Sequence, residues 1–280
     1  GRSTEVGAVR DGDRYDVVVI GSGAGGAPAA ARLAEEGARV AVVEQGELVE
    51  AQSTSAALER HYVHQGLLGV ARGTPLVVLA GESVGGTTSV NSGTSLRPLE
   101  DALLEWDRRL GTDFAEGRLD PWLDRVSEAI SIRVPPDELR STSSRKIAEG
   151  LEAIGRRDYY GLPRCIDGCR GSGRCCFGCP TGAKQSTDRA FLPRALNHGA
   201  DLLAGCEARG IRERAKFVEI DVYDDGERRC LEAGHLIVGA GAIFTPRLLR
   251  ANRLGSHWCH AGNRFKTHPA TKMFAHFPEV

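Results

Sequence analysis

Short apolar runs between glycine-rich stretches predict buried strands near the start of the chain. After Asp16, the run to Ile20 contains only valine and isoleucine, which is typical of a strand buried on both faces of a parallel sheet. The run from Arg39 to Val43 has a similar pattern, and the small-residue stretch GAPAAARLAEEG lies between the two. The pattern therefore predicts a βαβ unit over residues 15–46.

The middle of the chain has a different spacing of apolar residues. Apolar residues recur there at three- and four-residue spacing, which predicts amphipathic helices, in EDALLEWDRRLG, DPWLDRVSEAI and STSSRKIAEGLEAIG. The third stretch begins with residues that favour a helix N-cap and ends at a glycine. Trp106 and Trp122 lie on the apolar faces of the first two helices, so we expect both in the core.

The loop after the first strand carries candidate chemistry. Gly21, Gly23 and Gly26 have G-x-G-x-x-G spacing, and Glu44 follows about twenty residues later at the end of the second strand. Such glycines let the backbone approach a pyrophosphate at a helix N-terminus, and the acid then meets a ribose hydroxyl. This motif predicts dinucleotide binding but does not choose between NAD and FAD.

Two later stretches carry a family resemblance. They read GGTTSVNSGTSLR from Gly85 and GAGAIFTPRLLRANRLG from Gly239. With the βαβ unit, they resemble the glucose-methanol-choline (GMC) family of FAD-dependent oxidoreductases, whose flavin loop has the form G-G-S/T-S/T-x-x-N and whose second signature has the form G-A-x-x-S/T-P-x-L-L. Asn252 and Arg253 depart from the S-G that usually follows the second signature.

The motif and the resemblance together predict a set of FAD contacts. They are Gly21, Gly23, Gly26, Glu44, Gln45, Gly85, Gly86, Thr87, Thr88, Asn91, Thr94, Ala208, Gly241, Thr245 and His268. The resemblance places Asn91 beside the reactive edge of the flavin. Without it, Asn91 could equally be a turn residue that bonds its own backbone.

The resemblance also implies the domain organisation. We expect an α/β fold with an FAD-binding, Rossmann-like domain of GMC type and an interleaved α+β substrate domain that is incomplete at the C-terminus. The FAD-binding domain is predicted at residues 14–98 and 184–262, a helical and cysteine-rich segment at 99–183, and the start of the substrate domain at 263–280.

Five cysteines lie close together in CIDGCRGSGRCCFGC, residues 165–179. Disulfides, a zinc site, an iron–sulfur cluster and free buried thiols are four alternatives. We favour the cluster, with Cys169, Cys175 and Cys179 as ligands, because their spacing is similar to that of cluster-bearing sugar dehydrogenase subunits in the GMC family. Cys165 and Cys176 are extra to that pattern, and CCFGCPTGAK also resembles a loop of long-chain alcohol oxidases, for which no cluster is assumed.

The implied activity is transfer of a hydride from an alcohol carbon to flavin. In the family a histidine near the C-terminus removes the alcohol proton, paired with a second histidine or an asparagine. We expect that pair beyond residue 280 and assign no catalytic residue here. The alternative is a catalytically incomplete FAD-binding or electron-transfer subunit that needs a second chain carrying the pair. An electron-acceptor protein is a further expected partner.

Composition excludes some other classes of partner. The 36 basic and 37 acidic residues give a net charge of -1, so the charge gives no reason to expect nucleic acid. No apolar run approaches the roughly eighteen residues of a spanning helix. We therefore expect a soluble chain, with the cytoplasm favoured and the periplasm left open.

Overall fold

A computed structural model describes residues 10–48, 54–69 and 77–267. The helices in these ranges are α1 (Gly26–Glu35), α2 (Thr54–His61), α3 (Glu100–Leu110), α4 (Asp120–Ala129), α5 (Thr142–Ala153), α6 (Thr187–Ala190), α7 (Leu192–Asn197) and α8 (Gly241–Asn252). The strands are β1 (Arg14–Ile20), β2 (Val40–Glu44), β3 (Leu68–Gly69), β4 (Val77–Val78), β5 (Ile132–Arg133), β6 (Arg164–Cys165), β7 (Asp201–Ala204), β8 (Cys206–Glu213), β9 (Val218–Asp224) and β10 (Glu227–Val238).

A six-stranded sheet with the order β7-β2-β1-β10-β9-β8 forms the centre of the fold. Strands β7, β2, β1 and β10 are parallel, whereas β8, β9 and β10 form an antiparallel meander. The predicted βαβ unit is confirmed as β1, α1 and β2. The parallel strands place the loops after β1, β2 and β10 at one edge of the sheet.

Alternation along the strands divides the core between the two faces of the sheet. Val17 and Val19 of β1 face a cluster that includes four of the five alanines of α1 and Leu192 of α7. Val18 and Ile20 face the opposite cluster, which includes apolar residues of the meander. Both faces of β1 are therefore buried, because side chains alternate along a strand and both sides of this one are covered.

The three predicted middle helices are confirmed as α3, α4 and α5. Ser141 caps α5 by accepting a hydrogen bond from the backbone N–H of Ser144 at 3.2 Å. The prediction that Trp106 and Trp122 belong to the core is wrong for the part of the chain described, because they are 42% and 56% exposed. Trp106 packs edge-to-face on Phe114 with ring centroids 6.3 Å apart, and no other described element covers the apolar faces of these helices enough to bury any of their residues.

The cysteine loop is closed at its base by backbone pairing. Asp167 N–H donates to the Ala183 carbonyl at 2.8 Å, and Gln185 N–H donates to the Cys165 carbonyl at 3.0 Å. Residues 167–183 therefore leave and re-enter the fold at adjacent points, directly before α6.

None of the helices in the described ranges combines the length and apolar character that crossing a membrane requires.

Candidate functional site

The three glycines of the first loop have different roles. A Cβ atom built on Gly21 would lie 2.5 Å from the Gly239 carbonyl oxygen, and one on Gly26 would lie 1.8 Å from the Gly21 carbonyl oxygen. Both contacts are too short for any side chain, so close backbone packing requires these two glycines. The nearest atom to a Cβ on Gly23 is the Gly86 Cα at 4.0 Å. Gly23 therefore faces open space.

The second glycine-rich loop lies against the first. Gly85 N–H donates to the Ser22 hydroxyl at 2.8 Å, and a Cβ on Gly86 would lie 3.1 Å from the Gly23 Cα. We call residues 21–26 and 85–86 together the glycine cradle. Gly23 is half-buried in the loop that leads into α1, and a bound anion at the N-terminus of that helix would be stabilised by unpaired amides.

Glu44 is buried beside the cradle at the end of β2. Its Oε2 accepts hydrogen bonds from the Ser22 N–H at 2.9 Å and the Ser22 hydroxyl at 2.6 Å, and its Oε1 accepts one from the Gly46 N–H at 2.9 Å. Burial raises the pKa of Glu44, and these hydrogen bonds oppose that rise. A carboxylate has about four acceptor positions, and donors among the described residues occupy three of them.

The loop residues predicted to meet FAD make contacts within the protein. Gln45 donates to Glu82 at 2.6 Å, and the Thr87 hydroxyl accepts from the Gly81 N–H at 3.0 Å. The Thr88 hydroxyl donates to the Gly85 carbonyl at 2.6 Å. The two threonines therefore hold the shape of the second loop, and any contact of theirs with FAD stays a prediction.

Ser22 and Thr187 belong to the site although the sequence analysis did not select them. The buried Ser22 hydroxyl joins Glu44 to Gly85. The Thr187 hydroxyl donates to the Ser22 carbonyl at 2.9 Å, and the Thr187 N–H donates to the Thr88 hydroxyl at 3.0 Å. The position of Ser22 inside the glycine motif was a usable signal, whereas nothing in the sequence links Thr187 to a loop 165 positions away.

Asn91 and Thr94 lie in an exposed stretch after the second loop. The Asn91 Oδ1 accepts a hydrogen bond from the Gly93 N–H at 2.9 Å, which is the turn geometry expected of an asparagine that bonds its own backbone. The Thr94 and Ser92 hydroxyls lie 3.1 Å apart. A flavin contact at either residue stays a prediction.

The second signature reaches the cradle through Gly239, whose N–H donates to the Ile20 carbonyl at 2.7 Å. Gly241 begins α8 with a φ of +82° and has open space where a side chain would lie. Thr245 is half-buried in α8, and Ala208 is buried in the core on β8. His268 lies outside the described residues.

All eight cysteines are free, so the disulfide alternative is not realised in this structure. Within the described ranges, no group of three Cys, His, Asp or Glu side chains is arranged to hold a metal ion. Cys169, Cys175 and Cys179 therefore do not form the predicted ligand set, and neither zinc nor an iron–sulfur cluster finds support. The thiols instead contact their own loop: Cys169 Sγ accepts from the Gly171 N–H at 3.5 Å.

Two thiols of the loop have pKa values shifted in opposite directions. Burial raises the pKa of Cys175, and the positive charges of Arg164 and Lys184 only partly oppose it. Burial also acts to raise the pKa of Cys179, but hydrogen bonds from the Thr181 hydroxyl and from nearby backbone N–H groups outweigh it and lower the pKa. The Cys179 thiolate is therefore the better stabilised of the two.

A family model described as GMC oxidoreductase matches residues 36–270. The chain belongs to the GMC oxidoreductase family. The predicted family is thus confirmed, as is the predicted α/β fold class, because solved flavoenzymes share the architecture around the parallel sheet.

Curated relatives of similar sequence agree with the family assignment. An uncharacterized GMC-type oxidoreductase of Mycobacterium tuberculosis (strain H37Rv) is 35% identical over 275 residues, which are 95% of this chain and 43% of the relative. A long-chain-alcohol oxidase of Arabidopsis thaliana is 29% identical over 96% of this chain and 38% of its own length. The chain therefore spans less than half the length of these GMC relatives.

A structure of Aspergillus oryzae RIB40 formate oxidase, which concerns modification of its FAD, has a TM-score of 0.63 at 17% identity. The match covers 87% of this chain and 48% of the oxidase. At this identity the likeness shows the GMC fold alone.

Proposed function

We propose that this chain binds FAD in the glycine cradle and serves an oxidoreductase that removes a hydride from the CH–OH carbon of an alcohol. The observation that carries the proposal is the open space at Gly23, next to two glycines that backbone packing requires. A side chain at Gly23 would fill this opening, and the family match makes FAD the dinucleotide to expect there.

Three parts of the chain would hold FAD. The cradle and the N-terminus of α1 would meet the pyrophosphate, and the remaining acceptor position of Glu44 would meet a ribose hydroxyl. The stretch from Gly85 to Asn91 would lie against the isoalloxazine, which supplies a two-electron acceptor when bound. The glycine cradle and the Glu44 carboxylate thus offer groups of the kind that FAD binding requires.

With FAD bound as the two-electron acceptor, oxidation of the alcohol would require a base to take the hydroxyl proton and would leave a carbonyl product. The likeness to long-chain-alcohol oxidases supports an alcohol as donor. We assign no described histidine as the base. The electron-acceptor protein and the cytoplasmic location stay predictions.

The second candidate function is that of a subunit. We propose as the alternative that the chain is an FAD-binding or electron-transfer subunit whose catalytic histidine pair lies on a second chain, since no described histidine is assigned as the base. Adding that chain would then restore activity to a flavin-loaded but inactive protein, whereas activity of this chain alone would contradict the alternative.

Anaerobic mixing with alcohols tests the leading proposal. The flavin-loaded protein in its natural full-length or assembled form would be mixed with primary alcohols of increasing chain length and with secondary alcohols. We expect at least one to bleach the visible flavin absorbance and to yield the matching aldehyde or ketone. A colourless protein would reject FAD binding, and a flavin that stays oxidised with every alcohol would reject the donor class.

A further inference from the structure

Lys184 is a buried cation with an unusual set of partners. The residue is 2% exposed, and its aliphatic stem packs beside Gly93, where a Cβ would make ordinary contact with two stem carbons at 3.5 Å. Its Nζ donates to three backbone carbonyls, those of Ser89 at 2.7 Å, Cys175 at 2.8 Å and Asn91 at 2.9 Å. Only the charged ammonium has three hydrogens to donate, so all of its donor capacity is used.

Tyr62 makes a similar connection between the same two loops. Its buried hydroxyl lies 3.1 Å from the Val90 carbonyl oxygen and 2.6 Å from the Cys176 carbonyl oxygen, and its single proton is shared between them. Lys184 and Tyr62 therefore join the three consecutive carbonyls of residues 89–91 to the two consecutive carbonyls of residues 175–176. We call these two side chains the carbonyl clamp.

The clamp also determines where the N–H groups of the peptides after Val90 and Asn91 point. In a trans peptide the C=O and the following N–H point in opposite directions, and the described residues contain no cis peptide bond. Because the Val90 and Asn91 carbonyls point into the clamp, the N–H groups of Asn91 and Ser92 point away from it, on an exposed stretch. Within the described ranges neither N–H donates to a protein acceptor.

We propose that Lys184 and Tyr62 are positioning residues that hold the backbone N–H groups of Asn91 and Ser92 toward the polar edge of the bound flavin. This inference rests on the proposed function, since it takes the stretch from Gly85 to Asn91 as the one beside the isoalloxazine. The positive charge of Lys184 lies one peptide plane behind the two N–H groups and adds to their attraction for negative charge on that edge. The cysteine loop thus acts as the support for the clamp.

Two substitutions separate the parts of the clamp. Lys184→Met removes the charge and three hydrogen bonds at similar volume, and Tyr62→Phe removes one hydroxyl and leaves the charge in place. Lys146→Met on exposed α5 and Tyr160→Phe at an exposed tyrosine are the matched controls. All four variants would be made in the natural full-length or assembled protein.

Hydrogen exchange in the FAD-free protein measures directly whether the clamp stabilises the two loops. The amides of Val90, Gly93 and Phe177 are hydrogen-bonded within the two loops. We expect them to exchange about tenfold faster in Lys184→Met, and less so in Tyr62→Phe, because buried carbonyls lose their donors. Unchanged exchange in both variants would overturn the proposal, and Tyr62→Phe alone decides it if Lys184→Met does not fold.

The flavin-loaded protein separates positioning from a purely structural role. We expect both variants to bind FAD more weakly than their controls, and the midpoint potential of the flavin to fall in Lys184→Met but not in Tyr62→Phe. Faster exchange with wild-type FAD affinity and potential would overturn the proposal. Failure of the wild type to bind FAD would reject the proposed function and with it the inference, whereas the exchange result would still establish the clamp as structure.

Discussion

At the scale of single residues, the motif glycines differ in whether the surrounding atoms would tolerate a side chain. Gly21 has a φ of +95° and packs on Gly239, whereas Gly23 borders open space. The G-x-G-x-x-G spacing by itself does not show which atoms surround each glycine. The structure separates a glycine needed for folding from one available to a ligand.

Gly21→Ala should destabilise the fold. The new Cβ would contact the Gly239 carbonyl at 2.5 Å, and a non-glycine residue at positive φ adds a strain of about 1–3 kcal/mol. Chemical denaturation of the FAD-free protein should show a lower free energy of unfolding. Gly150→Ala in α5 is the control, since it meets nothing within 4 Å, and equal stability of the two variants would refute the packing argument.

Cys179 should react with iodoacetamide faster than Cys175 near neutral pH. Hydrogen bonds lower the pKa of Cys179 despite its partial burial, and burial raises that of Cys175, so the reactive thiolate forms first at Cys179. Peptide mass spectrometry after brief labelling measures both rates. Thr181→Val removes one hydrogen-bond donor to Cys179 and should slow the labelling of that thiol. Cys259, which is exposed, should react as in the wild type. Faster labelling of Cys175 than of Cys179 would contradict the predicted order of reactivity.

At the scale of elements, a charged network joins the strands of the meander. Asp221 of β9 accepts hydrogen bonds from Arg212 of β8 at 2.6 and 2.7 Å and from Arg228 of β10 at 2.7 Å. Gly210 makes room for it at a bulge, since a Cβ there would lie 2.3 Å from the Asp221 carboxylate. The network therefore fixes the register of three neighbouring strands.

The network should make stability depend on acid pH. Hydrogen bonds from Arg212 lower the pKa of Asp221 from 3.8 to about 2. A lowered pKa in the folded state means that the stabilisation is complete above the unfolded value and is lost as the pH falls from about 4 to about 2. Asp221→Asn should cost about 2 kcal/mol at neutral pH and weaken this acid dependence.

Asp224→Asn on the same strand is the control, because Asp224 lies 3.8 Å from Arg229 and is more exposed. Thermal denaturation between neutral and acid pH compares the two variants. Parallel pH profiles for wild type and Asp221→Asn would show that the network does not contribute to acid stability.

At the scale of the whole molecule, local patterns predicted the elements and distant contacts decided the site. The valine-rich runs and the helical periods were sufficient for β1, β2 and α3 to α5, because these features depend on neighbouring residues. Ser22, Thr187 and Lys184 join segments 63 to 165 positions apart, and no local pattern encodes such pairings. The exposed Trp106 and Trp122 show the same limit, since an apolar helix face does not specify what covers it.

Titration of the FAD-free protein with FAD tests the central claim most directly. The wild type and Gly150→Ala should bind one FAD with equal affinity. Gly23→Ala should keep the stability of the fold, because its Cβ meets only the Gly86 Cα at 4.0 Å, yet bind FAD at least about tenfold more weakly, a loss of roughly 1.4 kcal/mol. Wild-type affinity in Gly23→Ala, or no FAD binding by the wild type, would contradict the account of the glycine cradle.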